Sequence, residues 1–318
     1  MKVLYITNMY PVPDYIYFGI HVREQIDAIQ SQFPVENEVY FINGRLSKWN
    51  YFKSISEIRS LVNTKKFDVI HVHYGLSALF LMFYKPQVPV VVTLHSGELF
   101  QKKGYINHLL QKNITLSVIR NVEKVIVLND DMIRMLAEHE EKLVKIPCGT
   151  DLDYFKETPV KTVNKKFTIG FPGNKARPEK NYKLFQEIVD RLRTYCEVEV
   201  IEFHNMKRDD VVANLNKIDL LLMTSTIEGS PQIVKEGLAC NKAIISTAVG
   251  DVKDLLRNVV NCYVIDSFDP EEFVLPAKRI ASLPPENRKS DGREHLVKIG
   301  LDAQNVSKTV YKLYEQLV

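Results

Sequence analysis

The chain has 318 residues, 45% of them hydrophobic and 25% charged, with a formal net charge of +3. That length exceeds what a single core ordinarily fills and suits two α/β domains, while the apolar fraction excludes a disordered chain. So mild a charge, spread over both halves, excludes the concentrated basic stripe expected of a nucleic-acid binder. The four cysteines, Cys148, Cys196, Cys240 and Cys262, form no CxxC pair, which argues against metal clusters and redox dithiols. No apolar run approaches the roughly 20 residues needed to cross a bilayer. Met1 to Thr7 runs straight into a strand-like segment rather than a signal peptide. A reduced, cytoplasmic protein is expected.

In chain order, short β-rich apolar runs alternate with longer segments of helical period. The pattern predicts strands at Val3–Ile6, Val39–Ile42, Val69–Val72, Val88–Thr93, Val125–Leu128 and Leu143–Ile146. Between them it predicts helices at Val22–Ile29, Phe52–Val62, Leu76–Phe83, Ile106–Ile119 and Met132–Ala137. A polar stretch from Lys156 to Lys166, holding Pro159, interrupts the rhythm. Strands are then expected at Phe167–Phe171, Val198–Phe203, Leu220–Met223, Ala243–Ser246 and Cys262–Ile265, with helices at Lys183–Leu192, Val211–Ile218, Gln232–Ala239 and Val252–Leu256. Glu271 to Val318 reads as helical throughout, broken near Pro284-Pro285. Strand–helix alternation of this kind predicts two Rossmann-like, doubly wound α/β domains. The expected extents are residues 1–155, 156–300, and a last helix over 301–318 that crosses back to the first domain. Ligands in such sheets bind beyond the carboxyl ends of the strands, so a cleft between the domains is expected.

The most informative segment follows the strand Leu220–Met223 and runs from Thr224 to Cys240. Gly229 allows a tight turn, Ser230 can cap a helix, and Pro231 suits a first helical position. The free N–H groups of that turn, with Gln232 and Ile233, would favour a phosphate or a sugar oxygen. Glu228 lies just before the helix and Glu236 inside it. Two acceptors flanking an anion site suit a nucleotide sugar, although a capped surface helix explains the same pattern. The segment resembles the EX7E signature of glycosyltransferase family 4, a retaining group with the GT-B fold. It is closest to members with Glu-Gly-Ser-Pro, and Asn241 to Val252 continues the likeness. The resemblance implies that Glu228 contacts the donor sugar, that Gly229, Ser230, Pro231, Gln232 and Ile233 present amides to sugar and diphosphate, and that Glu236 binds ribose.

In Gly170 to Asn181 a strand ends in a loop holding Gly173, and a helix is expected to open at Pro178. Arg177 and Lys180 stand at that opening, where cations gain nothing from the helix dipole; a bound diphosphate would explain them, as would a solvated basic loop. The family places an arginine directly after the glycine and a lysine further on. Lys180 matches, Asn174 occupies the arginine's place, and Arg177 stands as the shifted candidate. Lys145 to Phe155 is similar to the family's Pro-Asn-Gly-Val-Asp segment, which implies a structural, interdomain role for Cys148 and Thr150.

His95, in Thr93 to Glu98, resembles the histidine of the family's Thr-x-His-Gly-x-Asp motif, which implies a donor-sugar contact. Gly19, before His21-Val22-Arg23, would let backbone approach a phosphate closely, and the family places a glycine loop here. His71 and His73 alternate on a strand; without a third ligand in sequence they read as a packed strand end rather than a metal pair. Lys102, Lys103 and Lys112 flank Tyr105, Ile106, Leu109 and Leu110. That pattern fits a solvated helix or, as in related enzymes, a peripheral contact with a membrane or lipid-linked acceptor.

No cofactor or metal is expected, since the sequence shows no obvious poised nucleophile and no convincing Asp-x-Asp metal site placed after a strand. The expected donor is a UDP-sugar first and a GDP-sugar second, with base contacts near His204-Asn205-Met206. The expected reaction is hexosyl transfer with retention to a saccharide or lipid-linked saccharide, in surface polysaccharide or glycoconjugate synthesis. A GT-B sugar-nucleotide epimerase and a catalytically silent nucleotide-sugar-binding subunit are the alternatives.

Overall fold

The computed structural model describes residues 1–13, 15–100, 105–158 and 166–318. Residues 159–165 of the polar stretch, and Lys102 and Lys103 of the basic segment, lie outside them. The chain divides into two compact units: 1–149 with 303–318, and 150–302. The division falls after Gly149, a few residues before the join expected at 155.

The first unit contains β1 (Lys2–Thr7), α1 (Ile20–Gln32), β2 (Glu36–Phe41), α2 (Asn50–Thr64), β3 (Val69–His73), β4 (Val90–Thr93), α3 (Gly97–Phe100), α4 (Tyr105–Ile119), β5 (Lys124–Val127), α5 (Asp130–Met135) and β6 (Leu143–Lys145). Its six strands are parallel in the order β2-β1-β3-β4-β5-β6. The inner strands are buried on both faces, which is why they read as unbroken apolar runs. Leu76–Phe83 was expected as an α-helix, but Gly75–Met82 is a 3-10 helix. Its Leu79, Phe80 and Leu81 are all buried.

The second unit contains β7 (Phe167–Phe171), α6 (Tyr182–Arg193), β8 (Val198–Glu202), α7 (Arg208–Lys217), β9 (Leu220–Met223), α8 (Gln232–Ala239), β10 (Ala243–Thr247), α9 (Val252–Leu255), β11 (Cys262–Ile265), α10 (Pro270–Ser282) and α11 (Gly292–Lys298). Its five parallel strands run β11-β10-β9-β7-β8. One apolar cluster, around Leu215, Leu221 and Leu238, fills one side of this sheet; another, around Ile169, Phe185 and Ile280, fills the other. The helix expected to open at Pro178 is only a 3-10 turn, Pro178–Lys180. Asn181, at φ 48°, breaks the coil before α6 begins, because a left-handed residue cannot continue a right-handed helix. The tail is helical and breaks near Pro284-Pro285 as expected, into α10, a 3-10 turn at Pro285–Asn287 and α11. The last helix, α12 (Ala303–Glu315), belongs to the first unit. There Val306, Val310, Leu313 and Tyr314 are buried, and Tyr311 stacks on Phe33 with centroids 4.2 Å apart.

Both units share one topology. In each, the first strand has its second strand on one side and its third on the other. Successive loops therefore leave in opposite directions between β1 and β3, and again between β7 and β9, opening the crevice where ligands of doubly wound sheets bind.

Candidate functional site

In the second unit, the crevice lies between the loop after β7 and the loop after β9, and both carry predicted residues. Gly173 has φ 137°, and a side chain there would meet Lys180 Cε at 2.8 Å. The missing Cβ lets the Lys180 stem lie across the loop. Lys180 Nζ then donates to Glu228 Oε1 at 2.7 Å, with the two side chains 15% and 18% exposed. The loops are tied by backbone as well. Thr226 N–H donates to the Glu179 carbonyl at 2.8 Å, and the Thr224 hydroxyl contacts the Lys180 and Asn181 carbonyls at 3.0 and 3.2 Å. A third loop, after β10, closes against them. The Thr247 hydroxyl donates to the Ser225 carbonyl at 2.6 Å, and Gly250, at φ 56°, packs so tightly that a Cβ would sit 2.3 Å from the Gly229 oxygen.

Helix α8 spans Gln232–Ala239, the bounds expected from the periodicity. Pro231 is its N-cap, not its first helical residue, and no side chain caps it. The Ser230 hydroxyl is instead turned to Asp251 Oδ2 at 2.6 Å and accepts from Lys235 Nζ at 2.9 Å. Lys235 is fully buried. Burial pushes the Asp251 carboxyl up to about 6 against the opposing pull of Lys235 and Ser230, and its Oδ1 is buried with no hydrogen-bond partner. Gln232 Nε2 contacts Thr150 Oγ1 at 3.1 Å. Ile233 packs partly buried against the α8 core. Glu236 is buried and accepts from Arg208 Nη2 at 2.8 Å. Arg208 in turn lies 4.6 Å over the Phe155 ring, a cation–π contact that fixes the guanidinium.

Arg177 is placed differently. Its Nε donates to Glu179 Oε1 at 2.7 Å, and the side chain is 56% exposed. Asn174 Oδ1 accepts from Ala176 N–H at 2.8 Å, which shapes the turn. Lys180, Glu228 and Glu236 are thus held by three interlocked loops and α8, while Arg177 and Asn174 are engaged with their own neighbours. Arg208, Lys235 and Asp251 are members that sequence reasoning did not select.

In the first unit, the strand ends around β3 gather four histidines. His71 and His73 are both buried. His71 Nδ1 lies 2.5 Å from the Tyr314 hydroxyl and Nε2 lies 2.7 Å from Thr93 Oγ1. His73 Nδ1 is 3.2 Å from His95 Nε2, and His21 meets the His95 ring edge-on at 4.8 Å. Burial pushes His71 down to about 3 and His73 well below its ordinary value, so both are neutral. Tyr74, at φ 72°, lies with its hydroxyl 2.9 Å from His21 Nε2. Glu98 is buried and its Oε1 accepts from the His95 and Gly75 N–H groups at 3.1 and 3.4 Å. Burial raises its carboxyl against those hydrogen bonds. That carboxylate fixes the backbone of His95. Gly19, at φ 67°, is the N-cap of α1, and a side chain there would sit 2.2 Å from the Met9 carbonyl oxygen. Its glycine is therefore required by the loop's own fold. Among the described residues no cluster of three or more His, Cys, Asp or Glu is arranged to hold a metal.

Two family models match the sequence: Glycosyltransferase Family 4 over residues 21–154 and Glycosyl transferases group 1 over residues 186–282. Together they take in the strand ends around β3 and β4 in the first unit and the loops after β9 and β10 in the second, while Gly19 and the Gly173–Lys180 loop lie outside both. Both matches indicate a GT-B glycosyltransferase of the family 4 type. No curated protein is significantly similar to this glycosyltransferase in sequence. Among solved structures, a sucrose-phosphate synthase from Thermosynechococcus elongatus superposes with TM-score 0.79 at 14% identity, covering 99% of this chain and 98% of its own. Anabaena HepE in complex with UDP-glucose superposes with TM-score 0.72 at 14% identity, with both chains fully covered. A glycosyltransferase from Rickettsia africae gives 0.69 at 13%, covering 99% of this chain and 98% of its own. At these identities the likeness is one of fold.

Proposed function

We propose that the glycosyltransferase moves a hexose from a nucleotide diphosphate sugar to a saccharide or lipid-linked saccharide, with retention at the anomeric carbon and without a metal. A UDP-sugar is the first candidate donor and a GDP-sugar the second; the solved HepE structures hold UDP, glucose and UDP-glucose. The reaction class suits surface polysaccharide or glycoconjugate synthesis. The observation that carries the reading is the Lys180–Glu228 pair, half-enclosed at the β7/β9 crevice beside the buried Glu236–Arg208 pair.

In this reading the pair separates its duties when the donor arrives. Lys180 turns to the diphosphate and balances the charge that grows as the sugar leaves, and Glu228 accepts from a sugar hydroxyl. The amides from Gly229 to Ile233, at the positive end of α8, add hydrogen bonds to the same oxygens. Glu236, held in place by Arg208, accepts from the ribose diol. His95 donates to a sugar hydroxyl, its backbone held by Glu98.

A thermal-shift panel of UDP-, GDP- and ADP-sugars tests this. The true donor at a hundredfold its Kd should stabilise the fold by about 2.7 kcal/mol, and Lys180→Ala should abolish the shift. No shift with any nucleotide sugar would refute the donor site. The engagement of Arg177 by Glu179 favours one second reading, a subunit that binds the donor without turning it over. Binding with neither transfer nor slow donor hydrolysis would establish that reading instead.

A further inference from the structure

The loop after β2 and the first turn of α2 expose apolar side chains that the donor site does not use. Leu46 is 80% exposed, Trp49 76% and Phe52 56%, and the Trp49 and Phe52 rings lie 5.6 Å apart. Trp49 is the only tryptophan of the chain. Large rings are ordinarily among the most buried groups, and a cluster turned outward marks a contact surface. Tyr15 and Ile16, in the loop after β1, are exposed as well. Arg45 joins the two loops, its guanidinium 4.8 Å from the Tyr15 ring and 4.0 Å from the Phe18 ring.

Charge selects the partner. Arg45, Lys48 and Lys53 stand among these apolar groups and are exposed, and no Asp or Glu occurs from Val39 to Ser56. The carboxylates that bound this stretch are both engaged: Glu38 pairs with Lys65 at 2.7 Å, and Glu57 accepts from the Tyr40 hydroxyl and pairs with Lys53 at 3.1 Å. The first turn of α2 holds no carboxylate and no side chain caps it, so its positive end adds to the cations instead of offsetting them. A second copy of the chain would set these cations against each other. A neutral saccharide would use the rings and leave the cations without a function. An anionic bilayer satisfies both: Trp and Phe rings settle at the boundary between headgroups and acyl chains, and Lys and Arg meet the lipid phosphates.

We propose that this face of the first unit lies on an anionic membrane surface, with Leu46, Trp49 and Phe52 entering the boundary and Arg45, Lys48 and Lys53 holding the headgroups. The contact is peripheral; no helix of the described residues is long and apolar enough to cross a membrane. The site is distinct from the 102–112 segment expected from the sequence, and it stands whether or not the donor reading does.

The test uses the full chain without nucleotide, sedimented with vesicles of phosphatidylcholine alone and of phosphatidylcholine mixed with phosphatidylglycerol. Binding is expected to the mixed vesicles only and to weaken with salt. Because one tryptophan reports, its emission should shift to the blue on binding and be quenched by brominated acyl chains. Trp49→Ser with Phe52→Ser should weaken binding about tenfold or more, and Lys48→Gln and Lys53→Gln about fivefold each. All four side chains are exposed, so unchanged melting temperatures show that the variants fold. Failure to bind the mixed vesicles overturns the proposal. So does binding that leaves Trp49 emission unmoved or survives the Trp49/Phe52 change, since the contact would then lie elsewhere. Concentration-dependent dimerisation that buries Trp49 without lipid assigns the face to a second copy and overturns it too.

Discussion

Mild acid should destabilise the first unit through His71, and a single substitution isolates the effect. The folded imidazole is buried and pushed down to about 3, whereas an unfolded histidine takes up its proton near pH 6.5. A depressed folded value means that stability is fully present above pH 6.5 and is lost as the pH falls toward 3. Between pH 7 and pH 5 the loss from His71 alone comes to about 2 kcal/mol. His73, neutral for the same reason, acts in the same direction. Glu98, raised by burial, acts in the opposite one, so the pH slope of the native chain mixes several groups. His71→Gln removes one of them. Losing the contacts to Tyr314 and Thr93 should make this variant about 2 kcal/mol less stable at pH 7. At pH 5 the native chain has given up its His71 contribution, and the gap should close to nearly nothing. Urea unfolding followed by circular dichroism at the two pH values reads both gaps. A gap that stays constant or widens in acid would show that His71 is not held neutral in the fold.

Two further outcomes bear on the second unit. Lys180→Ala and Glu236→Ala should each lower turnover about a hundredfold or more in a radiolabelled-sugar transfer assay, and near-normal turnover in either would count against the site. Gly250→Ala places a Cβ 2.3 Å from the Gly229 oxygen at a left-handed φ. It should cost about 2 kcal/mol of stability by thermal melting and raise the donor KM as the Glu228–Gly229 segment shifts; an unaffected KM would separate that loop from donor binding.

The fold was legible to the extent that its signal was local. Each of the eleven strands of the described residues overlaps an apolar run expected from the sequence; the inner ones are covered on both faces and carry apolar residues without interruption, whereas β2 begins with Glu36-Asn37-Glu38 ahead of its run. Elements whose form depends on what surrounds them were not legible. Gly75–Met82 is a 3-10 coil whose Ser77 to Leu81 are buried by the elements around them, and the helix expected at Pro178 waits until Tyr182 because Asn181 turns left-handed. The same divide runs through the candidate site. Glu228, Lys180 and Glu236 could be selected by their likeness to the family's motifs, but their partners could not. Arg208 reaches Glu236 across 28 positions, and nothing in the residues around it distinguishes it from any surface arginine. Ser230 carries the sequence mark of a helix cap, yet the fully buried Lys235 and Asp251 claim its hydroxyl. A buried lysine facing outward in the helical pattern gives no advance sign of where it will point.

The helix Ala303–Glu315 has a consequence for biosynthesis. Tyr314 lies wholly inside the first unit, against His71 and the hydroxyl of Tyr5, some three hundred residues after β1 leaves the ribosome. The amino-terminal sheet can pair its strands early, but one wall stays open to water until the intervening unit has been made. Nascent chains halted before residue 303 should therefore display that wall to chaperones, and emergence of Ala303–Glu315 is the event that seals it.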